Sequence, residues 1–106
     1  MSPIATLLGT RERITLGFTS GPLSLDASGR WTVPNNPTAP PAVRWTLHDA
    51  IEAASPDVDT TMLTLEYLER AAGRINLFAW LETRQGPEVV ALCNTALAIA
   101  RKDGHR

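Results

Sequence analysis

The side chains best suited to chemistry lie close together near the middle of the chain. His48 and Glu52 are four residues apart, with Asp49 between them, so a helix would place the imidazole and a carboxylate on one face. Such a pair can start a metal site or take part in proton transfer. A metal needs further ligands, and the other histidine, His105, lies near the end of the sequence. The spacing therefore favours a surface ion pair, and we expect neither a metal nor another cofactor.

The single cysteine predicts packing rather than chemistry. Cys93 falls in a helical run in which Val89, Leu92, Ala96 and Ala100 share its face, so we expect it in the core. One cysteine excludes an internal disulfide and a cysteine-rich zinc module. The sequence also lacks a Gly-x-Ser-x-Gly nucleophile motif and a glycine-rich phosphate loop. We therefore expect a protein that is not an enzyme.

Charge is divided unevenly along a chain whose net charge is only −1. Residues 1–44 carry four arginines against two acids, and residues 70–106 carry six basic residues against three acids. An acidic middle disfavours a broad nucleic-acid surface, which requires clustered basic residues. The span between these two regions has no lysine or arginine and contains six acids: Asp49, Glu52, Asp57, Asp59, Glu66 and Glu69.

The first part of the chain is predicted to form a helix followed by a hairpin. Ser2 and Pro3 are typical of a helix start, and the turn residues from Asp26 to Gly29 would join two strands. Four prolines then prevent regular structure. The expected elements are a helix over 2–8 that can run on to Arg13, extended chain over 14–18, a hairpin over 23–33 and a Pro-rich loop over 34–41.

The rest of the chain is predicted to be mainly helical. Gly73 is the expected terminator of the middle helix. The fold class is therefore α+β and mostly helical: one domain over 1–106, in which a three- to four-helix bundle packs around a small N-terminal β-hairpin. The expected elements are helices over 41–54, from 56 or 59 to 72 and over 87–102, a segment over 74–82 that is either a short helix or buried extended chain, and a flexible tail over 103–106.

Helix 41–54 is expected to bury an apolar stripe of Val43, Leu47, Ala50, Ile51 and Ala54. Trp45, His48, Asp49 and Glu52 would then lie on the opposite face. Trp45 either packs against the hairpin or the Pro-rich loop, or anchors a partner protein as an aromatic residue ringed by acids.

The next helix is expected to bury Met62, Leu65, Leu68 and Ala72, with Leu63 and Tyr67 as a second stripe. Glu66 and Glu69 would project outward and add to the acidic surface. Such a strip of carboxylates is either a solvated helix face or a mimic of nucleic-acid phosphates that occupies a basic groove of another protein.

Two stretches resemble a family of small bacterial and phage proteins of unknown function. One runs from Ile14-Thr15-Leu16-Gly17 through Asp26-Ala27-Ser28-Gly29-Arg30 to Val43-Arg44-Trp45, and the other is Trp80-Leu81-Glu82 followed by Gly86-Pro87-Glu88-Val89-Val90. The chain departs from the family pattern where Ile14 replaces a Trp, Thr46 a frequent Cys and Leu81-Glu82 an Asn-Asp pair. The resemblance implies a setting among mobile genetic elements but no activity.

These observations predict a non-enzymatic accessory protein that binds a host or cellular protein with a basic surface, for example a phage inhibitor of a host defence protein similar to an anti-CRISPR protein. Trp45, His48, Asp49, Glu52, Glu66 and Glu69 are the expected partner-binding residues. A small ligand-binding or enzymatic domain around His48 is a further alternative. A nucleic-acid-binding regulator is another, if the fold brings together Arg11, Arg13, Arg30, Arg74, Arg84 and Arg101.

The hydropathy pattern predicts no membrane partner, because no run of 18 apolar residues occurs in the sequence. The first residues lack the basic and apolar regions of a secretory signal, so we expect a cytoplasmic protein. Exposure of Trp31, Trp45 or Trp80 would favour a homodimer.

Overall fold

The computed structural model describes residues 2–34, 36–73 and 76–106, and within them the chain folds as an α+β domain. The described residues form five helices and a three-stranded antiparallel sheet joined by loops, which confirms a mostly helical fold with a small sheet. The order is α1 (Pro3–Leu16), β1 (Ser24–Asp26), β2 (Trp31–Thr32), β3 (Ala42–Arg44), α2 (Leu47–Ala54), α3 (Val58–Ala72), α4 (Leu77–Leu81) and α5 (Gly86–Lys102).

Helix α1 is the central element of the bundle, because it packs against α2, α3 and α5. It begins as predicted, with the N–H of Ile4 donating to the hydroxyl of Ser2. The prediction of extended chain over 14–18 is wrong, because the helix continues to Leu16 and buries Ile14 in the core. The helical spacing of Ile14 from Leu7, which is also buried, outweighs the β-propensity of this short stretch.

The chain leaves α1 at Gly17, where backbone segments approach closely. A Cβ on Gly17 would lie 2.2 Å from the carbonyl oxygen of Val43. The N–H of Trp45 donates to the carbonyl of Gly17, and the N–H of Thr19 donates to the carbonyl of Trp45. The segment after α1 is thereby held beside the chain that enters α2.

The predicted hairpin is confirmed, with Ser24 opposite Thr32 across β1 and β2. The Asp26 carboxylate accepts hydrogen bonds from the N–H groups of Ser28 and Arg30, and Gly29 takes the positive φ that the turn requires. The third strand, β3, pairs with the other side of β1.

The helix predicted over 41–54 is wrong in its first half. Residues Ala42–Arg44 form β3, and the helix begins only at Leu47, with Thr46 as its N-cap. The Thr46 hydroxyl accepts a hydrogen bond from the N–H of Asp49, so the helix begins six residues after the predicted start at residue 41. The sheet leaves Val43 45% exposed, whereas Leu47 and Ile51 are buried as expected.

Helix α3 has its predicted ends but not its predicted orientation. Asp57 caps its start and Gly73 ends it in the left-handed conformation. The core face consists of Thr60, Thr64, Tyr67 and Leu68, so the expected burial of Met62 is wrong: its side chain is 62% exposed.

The buried threonines of α3 are compatible with the core because their hydroxyls are satisfied within the helix. The Thr60 hydroxyl donates to the Asp57 carboxylate, and the Thr64 hydroxyl donates to the carbonyl of Thr60, each at 2.7 Å. The hydroxyl and N–H of Thr60 lower the pKa of Asp57 by stabilising its carboxylate. The helix therefore buries polar residues without leaving unpaired hydroxyls.

The C-terminal part of the chain closes the bundle. Helix α5 buries the predicted face, including Cys93, whose burial raises the pKa of its thiol to about 12. Of the segment 74–82, residues 74 and 75 lie outside the described residues, and α4 occupies Leu77–Leu81. In the segment 103–106, Asp103 accepts hydrogen bonds from Arg70 and Tyr67, which lower the pKa of its carboxyl.

The orientation of α3 predicts unequal effects of truncation at two apolar positions. Leu68→Ala removes a fully buried side chain and should lower the free energy of unfolding by about 2–5 kcal/mol. Met62→Ala truncates a side chain that is mostly in solvent and should change it by less than about 0.5 kcal/mol. Urea unfolding of both variants measures the difference. Equal losses would contradict the orientation described here.

Candidate functional site

A buried serine holds the start of α2 against the sheet. The Ser24 hydroxyl donates to the Asp49 carboxylate at 2.6 Å and accepts a hydrogen bond from the N–H of Thr46 at 3.1 Å. Thr46 in turn caps the helix through the N–H of Asp49. These bonds fix Asp49 and its neighbour His48 at the start of the central strand, β1.

An open cleft of about 530 Å³ lies in front of this junction. One wall is the segment between α1 and β1, another is the first turn of α2, and α4 forms the third. Its surface is mainly apolar, and the first turn of α2 contributes the polar side chains of His48 and Asp49. The lining residues are Phe18, Thr19, Ser20, Gly21, Pro22, Leu23, Thr46, Leu47, His48, Asp49, Phe78, Leu81 and Glu82.

A smaller depression of about 110 Å³ shares part of this lining. His48 and Phe78 line both spaces, and the smaller one adds Leu65 and Glu69 of α3. Phe78 is 69% exposed, so an apolar surface lies between two concave regions. Lysine and arginine are absent from the described lining of both, whereas Asp49, Glu69 and Glu82 contribute carboxylates.

His48 and Glu52 form the side-chain pair that their spacing predicts. The distance from Nε2 to Oε1 is 3.1 Å, and the two side chains are 49% and 40% exposed. Within the described residues, no group of three potential metal-ligating side chains occurs. The cleft beside His48 does supply the concave surface that a ligand-binding domain would need.

The structure places some of the predicted partner-binding residues in these two linings and others outside them. His48, Asp49 and Glu69 line the cleft or the adjoining depression, whereas Glu52 and Glu66 lie outside both linings. Glu66 is exposed on α3.

Trp45 does not lie on the outer face of α2, because this helix begins after it. Its backbone pairs with Phe18 in a parallel bridge, and its half-buried ring packs against the core. The guanidinium of Arg13 lies 5.5 Å from the ring centroid. Trp45 therefore packs against the core beside Arg13 and Phe18, and its role in partner binding stays a prediction.

Two functional candidates were missed by the sequence pattern, Phe78 and Glu82. Both come from the segment 74–82, which has no clear periodicity and therefore gives no prediction of an outward face. The signal that remains is Asn76, whose side chain caps α4 by accepting from the N–H of Ala79. That cap sets the direction of the short helix that presents Phe78.

The arginines that would have to converge for nucleic-acid binding are partly engaged within the fold. Arg11 donates to the side chain of Asn94, and Arg13 donates to the carbonyl of Gly9. Arg84 pairs with Glu88 and covers the half-buried ring of Trp80. Arg30 and Arg101 are exposed, and Arg74 lies outside the described residues.

Among the tryptophans, Trp31 on β2 is the exposed one, at 67%.

None of the helices in the described part of the chain is long and apolar enough to cross a membrane. Comparisons with protein-family models, curated proteins and solved structures found no match. The site is therefore interpreted from its own geometry.

The junction at Ser24 yields a prediction about the first turn of α2. Ser24→Ala leaves the N–H of Thr46 and one oxygen of Asp49 without their partner, and should lower the free energy of unfolding by about 1–3 kcal/mol. Ser20→Ala, at an exposed position in the wall of the cleft, is the control and should have little effect. Chemical denaturation compares them. A Ser24 variant as stable as the wild type would show that this junction does not hold the site.

Proposed function

We propose that the protein is a non-enzymatic binding module that receives a basic segment of a partner protein in the cleft beside His48. The segment would insert an apolar side chain next to Phe78 and place lysine or arginine side chains against the carboxylates around it. The observation that carries this proposal is an apolar cleft whose charged lining residues are acidic.

The apolar contribution to the free energy of partner binding comes mainly from Phe78. A ring that is 69% exposed leaves most of its apolar area available for burial, and covering such a side chain is worth about 1.5–3 kcal/mol. Aromatic residues at the centre of a contact are frequent hot spots. Leu23 and Leu81 of the same cleft extend the apolar surface around it.

The carboxylates of the cleft and of the adjoining depression determine which partner is favoured. Asp49 and Glu82 lie in the larger cleft and Glu69 in the adjoining depression. Carboxylates of like charge around one concave surface attract a cationic segment and repel an acidic one, which affects specificity and association rate more than affinity. A basic partner segment is thus favoured over an acidic or neutral one of the same shape.

A narrower form of the proposal is inhibition of a host defence protein. Its support is the resemblance to small phage proteins together with the acidic character of residues 45–69. Carboxylates that occupy a basic groove would displace nucleic acid from it by competing for the same cations. The identity of the partner tests this form: a protein without a nucleic-acid groove would contradict it.

The proposal predicts that partner binding depends on Phe78. Immobilised wild-type protein, Phe78→Ala and Trp31→Ala are compared in capture experiments from a host lysate. Trp31 is the matched control, because it is an aromatic residue of nearly equal exposure (67%) outside the cleft. A partner retained by the wild type and by Trp31→Ala should bind Phe78→Ala at least about tenfold more weakly.

Mapping of the contact completes this test. Proteolytic protection of the retained protein should identify a segment that combines an apolar side chain with lysine or arginine. A partner that binds both variants like the wild type, or a protected segment without basic residues, would contradict the proposal.

A further inference from the structure

The outer face of α3 carries apolar side chains that the fold leaves uncovered. Val58, Met62 and Leu65 are spaced i, i+4 and i+7, so at about 100° per residue they share one stripe. Val58 is 75% exposed and Met62 is 62% exposed, while Leu65 is half-buried. The stripe points away from the core face because the buried Thr60 and Thr64 occupy the opposite side of the helix.

This stripe leads into the candidate site. Leu65, its C-terminal member, and Glu69, one turn further along α3, line the depression that also contains His48 and Phe78. Val58 and Glu69 are eleven residues apart, which spans about 16 Å along the helix. The apolar surface therefore continues from the cleft along α3 rather than ending at Phe78.

Acidic residues flank the stripe. Glu69 lies in line with it, and Glu66 and Asp59 project about 80–100° to one side by the helical rotation. The nearest arginine on this helix, Arg70, is engaged by Asp103 at 2.9 Å. The acidic residues that lie beside the stripe on α3 are therefore complementary to a basic partner.

We infer that the partner segment is a basic amphipathic α-helix that lies along Val58, Met62 and Leu65 and reaches the cleft at Phe78; this rests on the proposed function. A helix satisfies its own backbone hydrogen bonds against an apolar surface, whereas an added strand needs a free sheet edge, which α3 does not offer. A partner helix of about four turns has the length to cover the stripe and the depression.

The test is a titration of the ¹⁵N-labelled full chain with three synthetic 15-residue peptides, followed by amide chemical shifts. The first has leucines on one helical face and lysines elsewhere. The second replaces the lysines with glutamates, and the third scrambles the first so that its leucines share no face. The first peptide should shift the amides of Val58, Met62 and Leu65 together with those of α4, and the other two should bind at least tenfold more weakly.

Substitution locates the contact. Met62→Gln should weaken binding of the first peptide about fivefold or more, whereas Leu16→Gln, at an exposed position of α1 (75%) outside the cleft lining, should leave it unchanged. Equal binding of all three peptides, or an unchanged affinity of Met62→Gln, would overturn the inference. Peptide-free shifts at Met62 that depend on protein concentration would also overturn it, because the occupant would then be a second copy of this chain.

The inference and the proposed function fail in different ways. Peptide shifts confined to Leu23 and Phe78 would overturn the helix on α3 and leave the cleft as the binding site. If no peptide shifts any amide signal while partner capture still depends on Phe78, the helix on α3 is likewise overturned and the cleft remains the binding site. Capture that is independent of Phe78 would overturn the proposed function, and the inference with it.

Discussion

The rotation of α3 about its axis is the constraint on which the rest of the structure depends. Asp57 caps the helix and accepts the hydroxyl of Thr60, and the carbonyl of Thr60 accepts the hydroxyl of Thr64. With these hydroxyls satisfied, the small threonine face can be buried in the core. Burying the threonine face directs Met62 and Val58 to the opposite side, so the packing of the core and the exposed apolar stripe have one cause.

The C-terminal end of α3 could be predicted from the sequence because its signal is local: Gly73 ends the helix in the left-handed conformation. The buried face of α3 could not be predicted from the sequence, because it depends on tertiary contacts. The same holds for the first half of the helix predicted over 41–54. Leucine and methionine residues at helical spacing predict a buried helix face when periodicity alone is considered. Only the partners of the threonine hydroxyls explain why Met62 lies outside.

In the candidate site, too, some residues could be recognised from the sequence and others could not. His48 and Asp49 could be recognised from residue type and spacing, and their positions follow from the cap at Thr46 and the buried Ser24. Phe78 could not be recognised, because its neighbours in sequence give no outward face and its importance comes from its place between two concave surfaces. The acidity of the middle of the chain acquires a structural meaning only where Glu69 and Asp49 meet an apolar cleft.

The exposure of Met62 tests the central claim most directly. Met62 is one of two methionines in the chain, so selective ¹³C-methyl labelling gives two signals, which a Met62→Leu variant assigns. A soluble paramagnetic gadolinium chelate should strongly broaden the Met62 methyl signal in the free protein, because 62% of the side chain is exposed. A Met62 signal that stays sharp at chelate concentrations that broaden exposed methyl groups would place this residue in the core, and would contradict both the orientation of α3 and the binding surface built on it.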